Sequence, residues 1–265
     1  MNEISILGCG WLGLPLGKAF AEREWYVKGS TTSEIRLELL ANVKIEPFLI
    51  QLSEKGCNGN LTSFLEGSTI LVIAVPPNLR GSTSESFIAK MTNLIPAIVE
   101  STIQKVLFIS STSVYGKSTE DGSVTEKTVC QPDTESGRQL LECEQLFLGN
   151  PAFKTTVLRF GGLVGPDRNP VTHLVRKENK DGLAPVNLIH LDDCLGVILS
   201  ILEKEVWNET FNAVSPLHPT RKVYYTQKAK ELNLPTPVFT DEKTMGYKVI
   251  SIDYLAERLG YKFSH

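Results

Sequence analysis

The stretch Ile4-Ser5-Ile6-Leu7-Gly8-Cys9-Gly10-Trp11-Leu12-Gly13 decides the fold. Its first half is a short apolar run that stops at a glycine, the pattern of a strand. Leu12, Leu16, Ala19 and Phe20 then recur at the spacing of one helical stripe. Pro15 falls in the first turn of that helix, where a missing N–H costs little. Strand, glycine turn and helix therefore follow one another without a linker. In the spacing Gly8-x-Gly10-x-x-Gly13 each glycine has its own task. Gly8 permits the tight turn, Gly10 lets backbone approach a ligand, and Gly13 lets helix and strand pack closely. The ligand that suits such a turn is a pyrophosphate, because free N–H groups and the helix dipole there favour an anion.

Outward from this unit the first half alternates strand-like and helix-like segments, which predicts a parallel sheet covered on both faces. Trp25 to Val27 reads as a second strand, Glu34 to Leu40 as a helix, and Ile45 to Leu52 as a third strand. Thr69 to Val75 is continuous and β-branched, as in a strand buried on both faces, and Pro76-Pro77 stops it. A helix over Phe87 to Glu100, a strand over Lys105 to Ile109, a helix over Gly137 to Phe147 and a strand over Thr155 to Phe160 complete the alternation. After Pro166 the elements shorten and prolines punctuate them. Leu188 to Leu191 and Thr210 to Val214 still read as strands. The expected architecture is α/β: a doubly wound parallel Rossmann sheet with a small interwoven C-terminal substrate subdomain. Residues 1–166 form the dinucleotide-binding core and 167–265 the substrate region, with segments near 186–214 returning to the core.

The second strand chooses between dinucleotides. An acidic residue at its end accepts hydrogen bonds from the ribose 2′-OH of NAD. Here Lys28-Gly29-Ser30-Thr31-Thr32-Ser33 holds no carboxylate before Glu34, and Arg36 lies one helical turn beyond Thr32. Hydroxyls, backbone amides and a guanidinium suit a 2′-phosphate, so NADP is preferred to NAD. The alternative is that these residues only cap the next helix. The cofactor-binding set is Gly8, Gly10, Trp11, Leu12, Gly13, Ser30, Thr31, Thr32 and Arg36, with Ala74, Val75, Pro76 and Ser110 at the ends of the following strands.

A formal charge of −3 gives no basic field for nucleic acid. No apolar run reaches the length of a membrane span, and the N-terminal pattern is not that of a signal peptide, so a cytoplasmic location is expected. Five scattered cysteines form no CxxC pair, which points to reduced thiols with neither disulfides nor a metal site. Cys9 is placed in the glycine turn itself.

Four later stretches carry a resemblance. Ser110-Ser111-Thr112-Ser113-Val114-Tyr115-Gly116 is similar to an S-S-x-x-V-Y-G element, and Leu158-Arg159 through Gly165-Pro166 to an L-R-x-x-x-x-x-G-P element. Ile189-His190-Leu191-Asp192-Asp193 resembles an I-H-V-x-D turn, and Phe211-Asn212-Ala213 a Y-N-V strand. In this order they resemble the extended short-chain dehydrogenase/reductase superfamily, its NAD(P)-dependent epimerase/dehydratase branch. Two features depart from it: the glycine spacing, G-x-G-x-x-G for the usual G-x-x-G-x-x-G, and a short chain.

The resemblance implies a Tyr and, four residues later, a Lys on the helix after the V-Y-G loop, exchanging a proton with a substrate hydroxyl or carbonyl. Those positions are Ser136 and Leu140, and neither side chain can replace the pair unaided. Ser111 matches the family's substrate-orienting hydroxyl, so Ser111 and Ser136 are the catalytic candidates. Ser111, Thr112, His173, Arg176 and His190 are the substrate-binding candidates. Capping and turn formation remain equal readings for the hydroxyls, and solvation for His173, Arg176 and Lys177. A structural hydrogen bond with a helix cap at Asp192 is the favoured reading for the His190 to Asp193 turn, ahead of an imidazole base oriented by Asp192 or Asp193. Tyr115 and Tyr224-Tyr225 read as packing residues. The implied function is an oxidoreductase or epimerase acting with NADP(H) on a small, sugar-like hydroxyl or carbonyl compound, as a homodimer by analogy. The alternative is a non-catalytic dinucleotide-binding redox sensor or scaffold.

Overall fold

The computed structural model describes residues 2–77, 85–117, 122–240, 242–244 and 246–265. The chain opens with β1 (Glu3–Leu7), α1 (Gly13–Ala21), β2 (Tyr26–Thr31), α2 (Ile35–Asn42) and β3 (Glu46–Leu49). An antiparallel pair, β4 (Gln51–Ser53) and β5 (Gly56–Asn58), and a short helix, α3 (Leu61–Leu65), lead into β6 (Ile70–Ile73). Then come α4 (Phe87–Val99), β7 (Lys105–Ser111), β8 (Gly122–Val124), α5 (Glu135–Leu148) and β9 (Lys154–Phe160). Next are β10 (Gly162–Val164), α6 (Val171–Leu174), β11 (Glu178–Asn179), β12 (Leu188–His190), α7 (Leu191–Glu203) and β13 (Thr210–Ala213). The last elements are α8 (Arg221–Glu231), β14 (Val238–Phe239), β15 (Lys248–Ile250) and α9 (Asp253–Leu259).

Seven strands pair in the order β13-β9-β7-β6-β1-β2-β3, every pairing parallel. The chain winds outward from β1 to β3, crosses back to β6, and winds the other way to β13. The reversal lies between β1 and β6, where the loops leaving the two strands part and open a crevice. The all-apolar β6 is buried on both faces, which its composition predicts. One hydrophobic layer joins α1, Leu40 of α2, α7 and α9 to one face of the sheet, and a second joins α3, α4 and α5 to the other. Val171, Val186, Tyr225, Ala229 and Phe239 form a small separate core for the late elements.

Several strand ends shift by one or two residues from the sequence reading, as β6 (Ile70–Ile73) and β7 (to Ser111) do, and two strands differ more. β2 runs on to Thr31, so Lys28, Ser30 and Thr31 are buried strand residues rather than loop. Their polar groups are satisfied at long range. Lys28 Nζ donates to the carbonyls of Ser63 (3.0 Å) and Glu66 (2.5 Å), beyond the reach of any local pattern. The third strand is also shorter than expected, because β3 ends at Leu49 and the chain turns at Ile50 into β4.

Candidate functional site

The glycine turn is held from below. Gly8 N–H donates to Ser30 Oγ (2.8 Å) and Cys9 N–H to the Ser30 carbonyl (2.8 Å), so the turn is tied to β2. Gly8 has φ +98°, a left-handed conformation that excludes most side chains. A Cβ on Gly13 would stand 2.3 Å from the Gly8 carbonyl oxygen, whereas a Cβ on Gly10 meets nothing within 4 Å. Gly13 is therefore required by packing, while Gly10 borders open space. Leu12 caps α1 without a side-chain hydrogen bond. Among the described residues the N–H groups of Trp11 and Leu12 meet no backbone acceptor. Such a cradle, with free N–H groups beside open space, fits a pyrophosphate.

A cavity of about 250 Å³ opens beside the turn, at the point of strand-order reversal. Gly8, Gly10, Ser30, Thr31, Thr32, Arg36, Ala74, Val75 and Pro76, all predicted cofactor contacts, line it together. Leu7, Cys9 and Pro77 also line it, and Ile50, Leu52, Phe87, Lys90 and Met91 form the opposite part of the wall. Sequence reasoning missed the last five because α4 and the β3–β4 turn reach the site only through the fold. The walls mix apolar side chains with the hydroxyls of Ser30, Thr31 and Thr32; the charges are Arg36 and Lys90, with no carboxylate in the lining among the described residues. Lys90 pairs with Glu85 at 2.8 Å. No carboxylate pairs with Arg36 among the described residues.

The other predicted cofactor contacts lie outside this cavity. Leu12 is buried in the core. Trp11 turns its ring away from the turn, donating from Nε1 to Asp167 Oδ1 (2.8 Å), and Arg168 stacks over it at 5.2 Å. Ser110 is buried and donates to Glu144 Oε1 at 2.5 Å. Burial pushes the Cys9 thiol up to about 12, so it is inert at neutral pH.

A second cavity, about 240 Å³, lies between the end of β7 and the late elements. Thr112, Asn187, Arg221, Tyr225 and Lys248 are among its lining residues. Lys248 donates to the Gly116 carbonyl, and burial holds its ammonium below the usual lysine value. Arg221 and Lys248 carry no motif that marks them in sequence. Of the predicted substrate contacts only Thr112 reaches this cavity. Ser111 caps the short 3₁₀ turn Thr112–Tyr115, its Oγ accepting from Ser113 N–H (3.2 Å). His173 and Arg176 are exposed and line neither cavity. His190 caps α7, its Nδ1 accepting from Asp192 N–H (3.3 Å), and lines neither cavity.

Ser136 stands in the first turn of α5, and Leu140 is buried in the hydrophobic layer. No residue of α5 is Tyr or Lys. Tyr115 is also internal. Its hydroxyl donates to Asn212 Oδ1 (2.8 Å) and accepts from Arg159 Nη1 (2.8 Å), while Arg159 grips Glu144 through Nε and Nη2 (2.6 Å at closest).

The NAD dependent epimerase/dehydratase family model matches residues 78–213. The chain belongs to that family. The match starts beyond the glycine turn, consistent with the turn's departure from the usual spacing. YeeZ of Escherichia coli strain K12 is 33% identical, with 100% of this chain and 97% of that protein covered. Among solved structures, UDP-glucuronic acid 4-epimerase from Bacillus cereus in complex with NAD gives a TM-score of 0.82 at 18% identity, covering 99% of this family member and 92% of the epimerase. A functionally unknown conserved protein from Silicibacter pomeroyi gives 0.79 at 21% identity, covering 100% and 94%.

Proposed function

We propose that the protein binds NADP(H) at the glycine turn and acts as an oxidoreductase or epimerase on a small, sugar-like hydroxyl or carbonyl compound. The cavity carries this reading: it pairs the open space at Gly10 with a wall holding Arg36 and, among the described residues, no carboxylate. When bound, the dinucleotide supplies hydride acceptance and donation. The chain's part is to seat the pyrophosphate on the free N–H groups of Trp11 and Leu12 and to offer Thr31, Thr32 and Arg36 to a 2′-phosphate. The 240 Å³ cavity is the proposed substrate chamber, with Thr112 at the end of β7 and Lys248 across from it on the late strand β15. Ser111 remains a candidate for orienting the reacting oxygen.

Titration with NADPH and NADH tests the cofactor choice. Arg36→Ala removes one charge-assisted contact of about 1.5–3 kcal/mol, so NADPH affinity falls roughly 10- to 150-fold while NADH affinity stays unchanged. Equal losses for both dinucleotides would refute a role at the 2′-phosphate. A second reading rests on α5, where Ser136 and Leu140 stand at the positions the family gives to Tyr and Lys. It makes the protein a redox sensor or scaffold that binds without turnover. Tight NADPH binding with no absorbance change at 340 nm across a panel of sugar and sugar-nucleotide substrates would favour it.

A further inference from the structure

At the start of α7, away from both cavities, three side chains with metal-ligating chemistry meet. His190 caps the helix, Asp192 stands in its first turn, and His265 arrives from the far end of the chain. Asp192 Oδ2 lies 3.3 Å from His190 Nδ1 and 3.9 Å from His265 Nε2. One ligand atom from each residue falls within 4.8 Å of the other two. Zinc bonds to imidazole nitrogen and carboxylate oxygen are about 2.1 Å, which puts two ligands of a tetrahedral ion about 3.4 Å apart. The Asp192 carboxylate stands at that separation from His190 and about half an ångström beyond it from His265.

The surroundings hold His265 in place. Asp193 is fully buried and accepts from Tyr261 O–H (2.9 Å), Ser264 N–H (2.8 Å) and His265 N–H (3.1 Å). The His265 carbonyl accepts from Ser215 Oγ (2.8 Å). The same Asp193 carboxylate lies 3.4 Å from His265 Nδ1, and Nε2 lies 3.9 Å from Asp192 Oδ2. A carboxylate on one imidazole nitrogen and a metal on the other is the arrangement that orients histidine ligands in metal sites. His190 keeps only a long 3.3 Å contact from Asp192 N–H on its Nδ1, and an ion readily displaces so weak a bond. The two rings stack with centroids 3.9 Å apart and planes at 25°, so binding one ion requires them to turn about their side-chain bonds to bring both in-plane lone pairs onto it. Two imidazoles with one carboxylate select a zinc-class ion over calcium or magnesium, which take oxygen ligands.

We propose that His190, Asp192 and His265 bind one divalent transition-metal ion of the zinc class, its fourth position open to water. The ion clamps residues 261–265 onto the start of α7, because it binds the folded arrangement and not the unfolded chain. Cysteine and histidine spacing in sequence predicts no metal site; 72 positions separate His265 from Asp193.

The test uses untagged, chelator-stripped protein titrated with Zn²⁺ by calorimetry and with Co²⁺ by visible absorption. The expected result is one ion per chain, a Co²⁺ spectrum of a nitrogen- and oxygen-ligated site, and a melting temperature that rises with zinc. Asp192→Asn, His265→Ala and His190→Gln each lower zinc affinity at least ~10-fold and reduce the zinc-dependent rise. Asp192→Asn changes an exposed side chain, and His190→Gln keeps an acceptor for the helix cap, so both keep the fold. A wild-type chain that takes up no zinc, or these two variants binding it as tightly as wild type, overturns the proposal.

Discussion

Replacing Gly10 by valine separates the proposed pyrophosphate cradle from the fold that holds it. A Cβ there meets nothing within 4 Å, and the backbone is outside the left-handed region, so the folded chain accepts the side chain without strain. The added methyl groups fill the space through which a diphosphate approaches the N–H groups of Trp11 and Leu12. Losing one charge-assisted hydrogen bond of about 1.5–3 kcal/mol weakens NADPH and NADH alike by roughly 10- to 150-fold. Gly13→Ala is the opposite case. Its Cβ, 2.3 Å from the Gly8 oxygen, forces α1 away from β1, at about 1–3 kcal/mol for overpacking. For a chain of this length that lowers the melting temperature by roughly 2–6 °C. Calorimetric titration with both dinucleotides, alongside thermal unfolding of both variants, distinguishes the two. If Gly10→Val binds both dinucleotides within about threefold of wild type, the turn is not the pyrophosphate site.

Arg159→Met strands the Glu144 carboxylate, whose side chain is only 2% exposed, with Ser110 as its remaining partner; urea unfolding should show a loss of about 3–5 kcal/mol, and a loss below about 1 kcal/mol would contradict the buried pair. Burial pushes the Cys9 and Cys143 thiols up to about 12, so at pH 8 only about one molecule in ten thousand carries either thiolate; mass spectrometry after brief alkylation should find Cys57 and Cys130 labelled and Cys9 intact, and equal labelling of Cys9 would rule out this packing. Lys248 binds its proton less tightly folded than unfolded, so its contribution to stability rises with pH through the window just below 10.5, where the unfolded chain holds more protons. Lys248→Met should flatten the rise in unfolding free energy across that window, and an unchanged slope would show that burial does not perturb the ammonium.

The first strand, the glycine turn and α1 were legible because neighbours along the chain determine them: Ile4, Ile6 and Leu7 need burial, and Gly8 and Gly13 need conformations and clearances that other residues lack. β6 was legible for the same reason, since Ile70 to Ile73 is apolar throughout. The extent of β2 was not. Lys28 and Ser30 read as loop residues until Ser63, Glu66 and Gly8 supply their hydrogen bonds. Of the first cavity, the residues at the ends of β1, β2 and β6 could be named from motifs, while Phe87, Lys90 and Met91 enter from the other side on α4. Arg221 and Lys248 share a cavity with Thr112 although neither carries a local signature.

By itself, then, the sequence determined the parallel α/β architecture, the position of the glycine turn and the absence of Tyr and Lys from α5, all properties of residue type and spacing within one or two elements. Tertiary structure alone decided which polar groups are spent inside the protein and which face open space. It turned Ser110 onto Glu144 and Trp11 onto Asp167, left Gly10 bordering a void, and brought His265 to His190 and Asp192. The physical reason is that burial and pairing depend on groups far apart in the chain. Their meeting is fixed by the packing of whole helices and strands.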